Sequence, residues 1–142
     1  MKKTAKELLQ SVSLKVTPAR VALLETLHMS KYLLSAQDLY ESLKKQGYHH
    51  NLSTVYRSLE SLSEKKLINE VSLKIEEKKL YEFNHHSHHH FFVCEHCHKI
   101  EPINTCFIHS IEEALEEKHN FKIKHHNLEL YGVCDDCDED KQ

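Results

Sequence analysis

The chain has 142 residues, room for one mid-sized domain or two small ones, and two small ones would each need a metal or a second subunit to make up for a thin core. Its net charge of −3 is unevenly spread: residues 1–83 carry 14 Lys and Arg against 10 Asp and Glu, the remainder 5 against 12, as expected where only one half meets phosphate. Eleven of the 14 histidines and all five cysteines follow residue 84, a metal-binding composition, while no apolar run approaches the length of a membrane span.

The first half reads as short helices with clear start signals. Thr4 and Glu7 have capping-box spacing, Thr17-Pro18 is a cap followed by proline at the first helical position, and Ser35 with Asp38 repeats the cap with the shorter acid. Leu8, Leu9 and Val12, then Val21, Leu24 and Leu27, then Leu39 and Leu43 follow at helical spacing. A fourth helix starts at Ser53, with Leu52, Val55, Leu59 and Leu62 in one stripe and Ser53, Thr54, Arg57 and Ser58 away from it. Its first turn is hydroxylic and basic. Two β-like runs, Leu67 to Val71 and Leu80 to Phe83, flank a Lys- and Glu-rich turn and predict a hairpin wing. Helices followed by such a wing make a winged helix-turn-helix over residues 1–84.

In residues 85–142, Phe91 to Val93 and Ile100 to Ile103 read as strands around a cysteine pair. Ile108 to Lys118 reads as a helix with Ile108, Ile111 and Leu115 on one side, and Phe121 to Val133 as one or two further strands. The fold class is therefore α+β, the winged helix followed by a small C-terminal α/β domain.

Cys94-x-x-Cys97 and Cys134-x-x-Cys137 are two knuckles that together complete the S4 shell of a structural zinc. The N-terminal MKKTAKELLQSV has no continuous apolar segment, so the expected location is the cytoplasm, where such pairs are zinc ligands rather than disulfides. Cys94 to His98 also spells the c-type haem pattern, but that attachment needs export and leaves the second pair unexplained. Strand alternation aims His88 and His90 to one side and His89 and Phe91 to the other. His109 and His126 could close a four-nitrogen shell with the first pair.

Five ordered motifs between Leu14 and Cys137 resemble the ferric uptake regulator family: Leu14 to Arg20, Ser35 to Tyr40, Ser53 to Arg57, the His-rich stretch running into Cys94 and Cys97, and Leu130 to Cys134. The resemblance implies a homodimeric, metal-dependent repressor whose recognition helix reads an A/T-rich palindromic operator in double-stranded DNA. Lys15, Arg20, Ser53, Thr54, Tyr56 and Arg57 fall on its DNA-contacting stretches. It also implies a dimerisation role for the C-terminal domain, a structural zinc on the four cysteines, and a second divalent metal on His88, His90, His109 and His126. Four imidazoles with no carboxylate favour Zn2+ over Fe2+ or Mn2+. Of the interdomain site used by iron- and peroxide-sensing relatives, Glu82 and His89 remain, while Leu33, Phe91 and Pro102 occupy ligand positions. Zinc-uptake regulators are the closer likeness, some with a cysteine where Cys106 stands, which makes Cys106 an additional candidate ligand. His98 follows the knuckle where the family has glycine.

Two other classes compete. A zinc hydrolase or deaminase needs an open coordination position beside a general base, whereas both expected shells hold four protein ligands. A zinc-stapled interaction module would need no basic half, and the Ser53 to Arg57 turn argues against it.

Overall fold

The computed structural model describes residues 2–86 and 88–139 and divides into two compact units, Met1–His85 and His86–Gln142. In the first unit, α1 (Ala5–Ser11) starts at the Thr4/Glu7 capping box, with Thr4 Oγ1 accepting from the Glu7 amide at 3.2 Å and Glu7 Oε2 from the Thr4 amide at 2.7 Å. Helix α2 (Pro18–Met29) is capped by Thr17. A two-residue strand, β1 (Leu34–Ser35), runs directly into α3 (Ala36–Lys45), capped by Ser35 with Asp38. Helix α4 spans Leu52–Glu64, one residue earlier than the Ser53 start, because the Asn51 side chain accepts from the Thr54 amide at 2.8 Å and so makes Asn51 the cap.

Leu9, Leu23, Leu24, Leu27, Leu39, Leu43, Val55, Leu59 and Leu62 meet in one core, which is what the helical stripes demand. The wing, β2 (Ile68–Val71) and β3 (Leu80–Phe83), is antiparallel, with Ile68 opposite Phe83 and Val71 opposite Leu80. Strand β1 pairs with the other edge of β3, giving the order β1-β3-β2. The wing's charged turn is tied by Lys79 to Glu70 at 3.1 Å.

The second unit is a three-stranded sheet in the order β5-β4-β6, of β4 (His90–Cys94), β5 (Ile100–Ile103) and β6 (Glu129–Gly132). Strand β5 returns antiparallel to β4, while β6, reached through helix α5 (Ile108–Lys118), lies parallel to it with Cys94 opposite Gly132. Of the one or two strands expected over Phe121 to Val133, one forms, β6. Before it the chain lies along α5, and the Ile123 amide is satisfied by Glu116 Oε1 at 2.6 Å instead of by a neighbouring strand.

Helix α5 contains no buried residue, and Phe107, Ile111, Leu115, Leu130 and Val133 are all exposed. On the side that periodicity marked as apolar, Ile111 and Leu115 are exposed and Ile108 is half-buried. None of the described helices is long and apolar enough to cross a membrane.

Candidate functional site

Strand β4 carries one donor cluster at each end. At its C-terminal end the chain reverses tightly: the Cys94 amide donates to the Lys99 carbonyl and the His98 amide to the Cys94 carbonyl, each at 2.9 Å. His98 takes φ 63°, a left-handed conformation that the glycine found there in the family adopts without the steric cost a histidine bears. Because β6 runs parallel to β4, the Glu95 amide reaches the Gly132 carbonyl at 2.8 Å and the second knuckle lands beside the first. Gly132 packs closely under Phe92: a Cβ there would lie 3.3 Å from the Phe92 ring, which would have to shift to admit it.

The four sulfurs of Cys94, Cys97, Cys134 and Cys137 lie within 4.8 Å of one another, and Cys97 Sγ to Cys134 Sγ is 3.7 Å. A tetrahedron with Zn–S bonds of about 2.3 Å has an S···S edge of roughly 3.8 Å. The amides of Cys97 and Cys134 point at Cys94 Sγ at 3.5 and 3.4 Å and hold its thiol down to about 6. Burial, then the neighbouring sulfurs, push Cys137 the other way, and burial likewise raises Cys134. Four thiolates crowded together repel, and a dication relieves that repulsion, so the donor set fits zinc.

At the other end of β4 a second cluster gathers His88, His90, Cys106 and His126, again within 4.8 Å. His126 Nε2 is 2.9 Å from His88 Nε2, 3.3 Å from His90 Nε2 and 3.4 Å from Cys106 Sγ, and His90 Nε2 is 3.4 Å from Cys106 Sγ. The N···N and N···S edges of a tetrahedral zinc shell are about 3.3 and 3.6 Å, so these donors too fit a metal. Burial first, then the neighbouring imidazoles of His88 and His126, lower the pKa of His90, which favours its neutral, ligating form. His126 is held from behind by a short hydrogen bond between Nδ1 and Glu112.

His109, the fourth expected donor, is not in this group. It sits on the first turn of α5 with its side chain 85% exposed and its ring nitrogens 3.9 and 3.8 Å from Glu112 and Glu113. Cys106, in the loop just before the helix, stands where an imidazole was expected. His109 instead lines, with His125 and Lys124, a cavity of 450 Å³ that opens onto His88, Cys106 and His126. Glu112 was not anticipated, because one acid in the run Glu112, Glu113, Glu116 and Glu117 carries no signal of its own.

Glu82 and His89 belong to different units. Glu82 accepts from Asn69 Nδ2 at 3.2 Å across the wing, and His89 stands edge-on to Phe91. Phe91, which is buried, and Pro102, which is exposed, are register partners in the sheet, and neither side chain can bind a metal.

In the first unit, Lys15, Arg20, Thr54 and Arg57 line one groove of 600 Å³, together with Thr17, His50 and Ser61. Arg20 braces it: Nη1 donates to the Lys15 carbonyl at 2.8 Å and Nη2 to Ser61 Oγ at 3.4 Å, so the loop bearing Lys15 is tied to α4. Arg57 Nη2 donates to Thr54 Oγ1 at 3.3 Å. Ser53 and Tyr56 lie on the exposed side of α4, opposite buried Val55, Leu59 and Leu62.

Residues 11–131 match the model of the "Ferric uptake regulator family". The "Ferric uptake regulation protein" of Campylobacter upsaliensis is 35% identical over 97 residues, 67% of this chain and 62% of that protein. The protein of the same name from Bacillus subtilis is 34% identical over 114 residues, 76% and 74% of the two chains. Among solved structures, the iron-containing ferric uptake regulator of Francisella tularensis superposes with a TM-score of 0.78 at 30% identity, covering 87% of this chain and 94% of that one. A zinc-bound manganese uptake regulator gives 0.73 at 25% identity, covering 93% and 99%.

Proposed function

Since this chain belongs to the ferric uptake regulator family, we propose that it is a cytoplasmic, homodimeric, zinc-responsive repressor that binds A/T-rich palindromic operators. The observation that carries the zinc reading is the second cluster, three imidazoles and a thiol with no carboxylate among the converging donors. Softer N and S donors in a tetrahedral arrangement suit zinc, whereas iron(II) and manganese(II) are favoured by carboxylate-rich, six-coordinate shells. Cys94, Cys97, Cys134 and Cys137 hold a structural zinc, and His88, His90, Cys106 and His126 the exchangeable one, with His109 at the mouth of its cavity.

The cations neutralise and cross-link; the chain's own residues do the rest. Tyr56 and Arg57 on α4 meet the major groove, Lys15 reaches the duplex from the neighbouring loop, and Arg20 keeps that loop against α4. The exposed apolar side of α5 supports pairing with a second copy, since so much uncovered apolar surface in a small unit favours association. A palindrome is then the matching target. Leu33, Phe91 and Pro102, none of which can bind a metal, stand at ligand positions of peroxide-sensing relatives and speak against peroxide sensing.

The test is to titrate zinc into wild type and a His90→Ala/His126→Ala double variant, following metal stoichiometry and affinity for A/T-rich duplex. The expected result is one fewer zinc per subunit and weaker DNA binding in the variant. Equal stoichiometry would reject the site, and lower stoichiometry with unchanged DNA affinity would reduce it to a static staple.

A further inference from the structure

We propose that Glu112 is the positioning residue of the His88/His90/Cys106/His126 cluster, fixing His126 as the Nδ1–H tautomer and balancing the charge of a bound divalent cation. The proposal rests on the reading that this cluster is a metal site, and goes beyond it by assigning a role to a side chain outside the four donors.

A neutral imidazole has one N–H and one lone pair. The Glu112 carboxylate faces His126 Nδ1, so that nitrogen carries the hydrogen, since two acceptors would repel. The lone pair is therefore on Nε2, the atom lying 2.9 Å from His88 Nε2, 3.3 Å from His90 Nε2 and 3.4 Å from Cys106 Sγ. Only this tautomer offers a ligand to the cluster. The second carboxylate oxygen is 3.9 Å from His109 Nδ1, beyond a hydrogen bond, and His109 is exposed, so His126 is the partner that orders Glu112.

Charge points the same way. A dication on three neutral imidazoles and one thiolate carries a net +1, and Glu112, whose side chain is only 16% exposed, supplies the compensating −1 from behind a ligand. Its location is set by the fold: Glu112 and Glu116 are one turn apart on α5, and both reach the segment before β6, Glu112 at His126 and Glu116 at the Ile123 amide. The segment that delivers His126 is thus clasped to α5 by two carboxylates, in a helix that buries no apolar side chain.

The test uses full-length protein with the four-cysteine site pre-loaded with zinc, titrated with cobalt(II) against a competing chelator. Wild type, Glu112→Gln, Glu112→Ala and Cys106→Ser are compared. Glu112→Ala should weaken cobalt binding roughly 10- to 100-fold, with Glu112→Gln in between because its carbonyl still accepts from Nδ1–H. Both should keep the sulfur-to-cobalt charge-transfer band at saturation. Long-range proton–nitrogen correlation on the protein lacking the second metal should show His126 as the Nδ1–H tautomer in wild type and a tautomer mixture in Glu112→Ala, a readout that a merely structural role leaves unmoved. Wild-type affinity in both Glu112 variants, or an unchanged tautomer, overturns the proposal, as does a saturated cobalt spectrum altered in the Gln variant, which would make Glu112 a direct ligand. If wild type takes up no second metal, or Cys106→Ser retains the charge-transfer band, the metal-site reading itself fails.

Discussion

His28, in the last turn of α2, sets its ring edge against Phe83 at 5.0 Å and lies 5.6 Å from His85. Burial above all, with the His85 imidazole adding to it, lowers the pKa of His28 from its usual 6.5. A histidine whose folded pKa is depressed is neutral in the native state while the unfolded chain still takes up a proton. Its contribution to stability is therefore intact above about pH 6.5 and is lost as pH falls through the lower folded value. Urea unfolding of the first unit at pH 7.5 and 5.0 should show wild type losing more stability on acidification than His28→Phe, which keeps the ring without the proton. Equal losses would mean that His28 does not sense pH. At the same scale, His98 holds its left-handed turn at φ 63° through the Cys94 carbonyl bond, a local strain tolerated because it closes the first knuckle.

Helix α4 shows how one cap serves both fold and surface. Asn51 Oδ1 accepts from both the amide and the hydroxyl of Thr54 at 2.8 Å, and Thr54 Oγ1 in turn accepts from Arg57. The cap thus fixes the first turn and, through Thr54, the guanidinium expected to meet DNA. Asn51→Ala should destabilise the first unit by about 0.5–2 kcal/mol and weaken operator binding beyond what the small unfolded fraction explains. Thermal melts together with electrophoretic mobility shifts at a temperature where both proteins are folded would check this. An undiminished affinity would separate the cap from recognition. Helix α5 is the opposite case, for it buries no residue, Ile111 and Leu115 are exposed, and Glu112 and Glu116 hold it to the segment before β6.

For the molecule as a whole, the two units are stabilised differently. The first has a shared leucine-rich core drawn from four helices and the wing. Among the described residues of the second, only His90, Phe91, Val93, Cys94 and Cys134 are buried, too little to offset the entropy of ordering the unit. Apparent binding energies for structural zinc of about 10–16 kcal/mol are large enough to make up that difference. Cys97→Ser, or prolonged treatment with a strong chelator, should unfold the second unit and dissociate the dimer while the first keeps its helical signal. Circular dichroism, metal analysis and sedimentation would follow the three effects separately. A folded dimer without zinc would show that pairing through α5 suffices.

What the sequence by itself determined are features written in short spacings: the caps at Thr4, Thr17 and Ser35, the leucine stripes, the wing and the two Cys-x-x-Cys knuckles; His88 and His90 also meet, though His88 lies just before β4 rather than in it. Each depends on neighbours within a turn or a pleat, where the backbone period alone fixes direction. The tertiary structure decided what depends on how distant segments meet. His109 and Cys106 are three residues apart, but α5 begins between them at Ile108, so the helix carries the imidazole outward while the loop leaves the thiol facing His90 and His126. The same placement of α5 set Glu112 behind His126 and gave the Ile123 amide a carboxylate, Glu116, in place of a strand partner. Spacing cannot foretell this, since the partners lie 14 and 7 residues apart and are joined by a chain reversal whose course is set by packing.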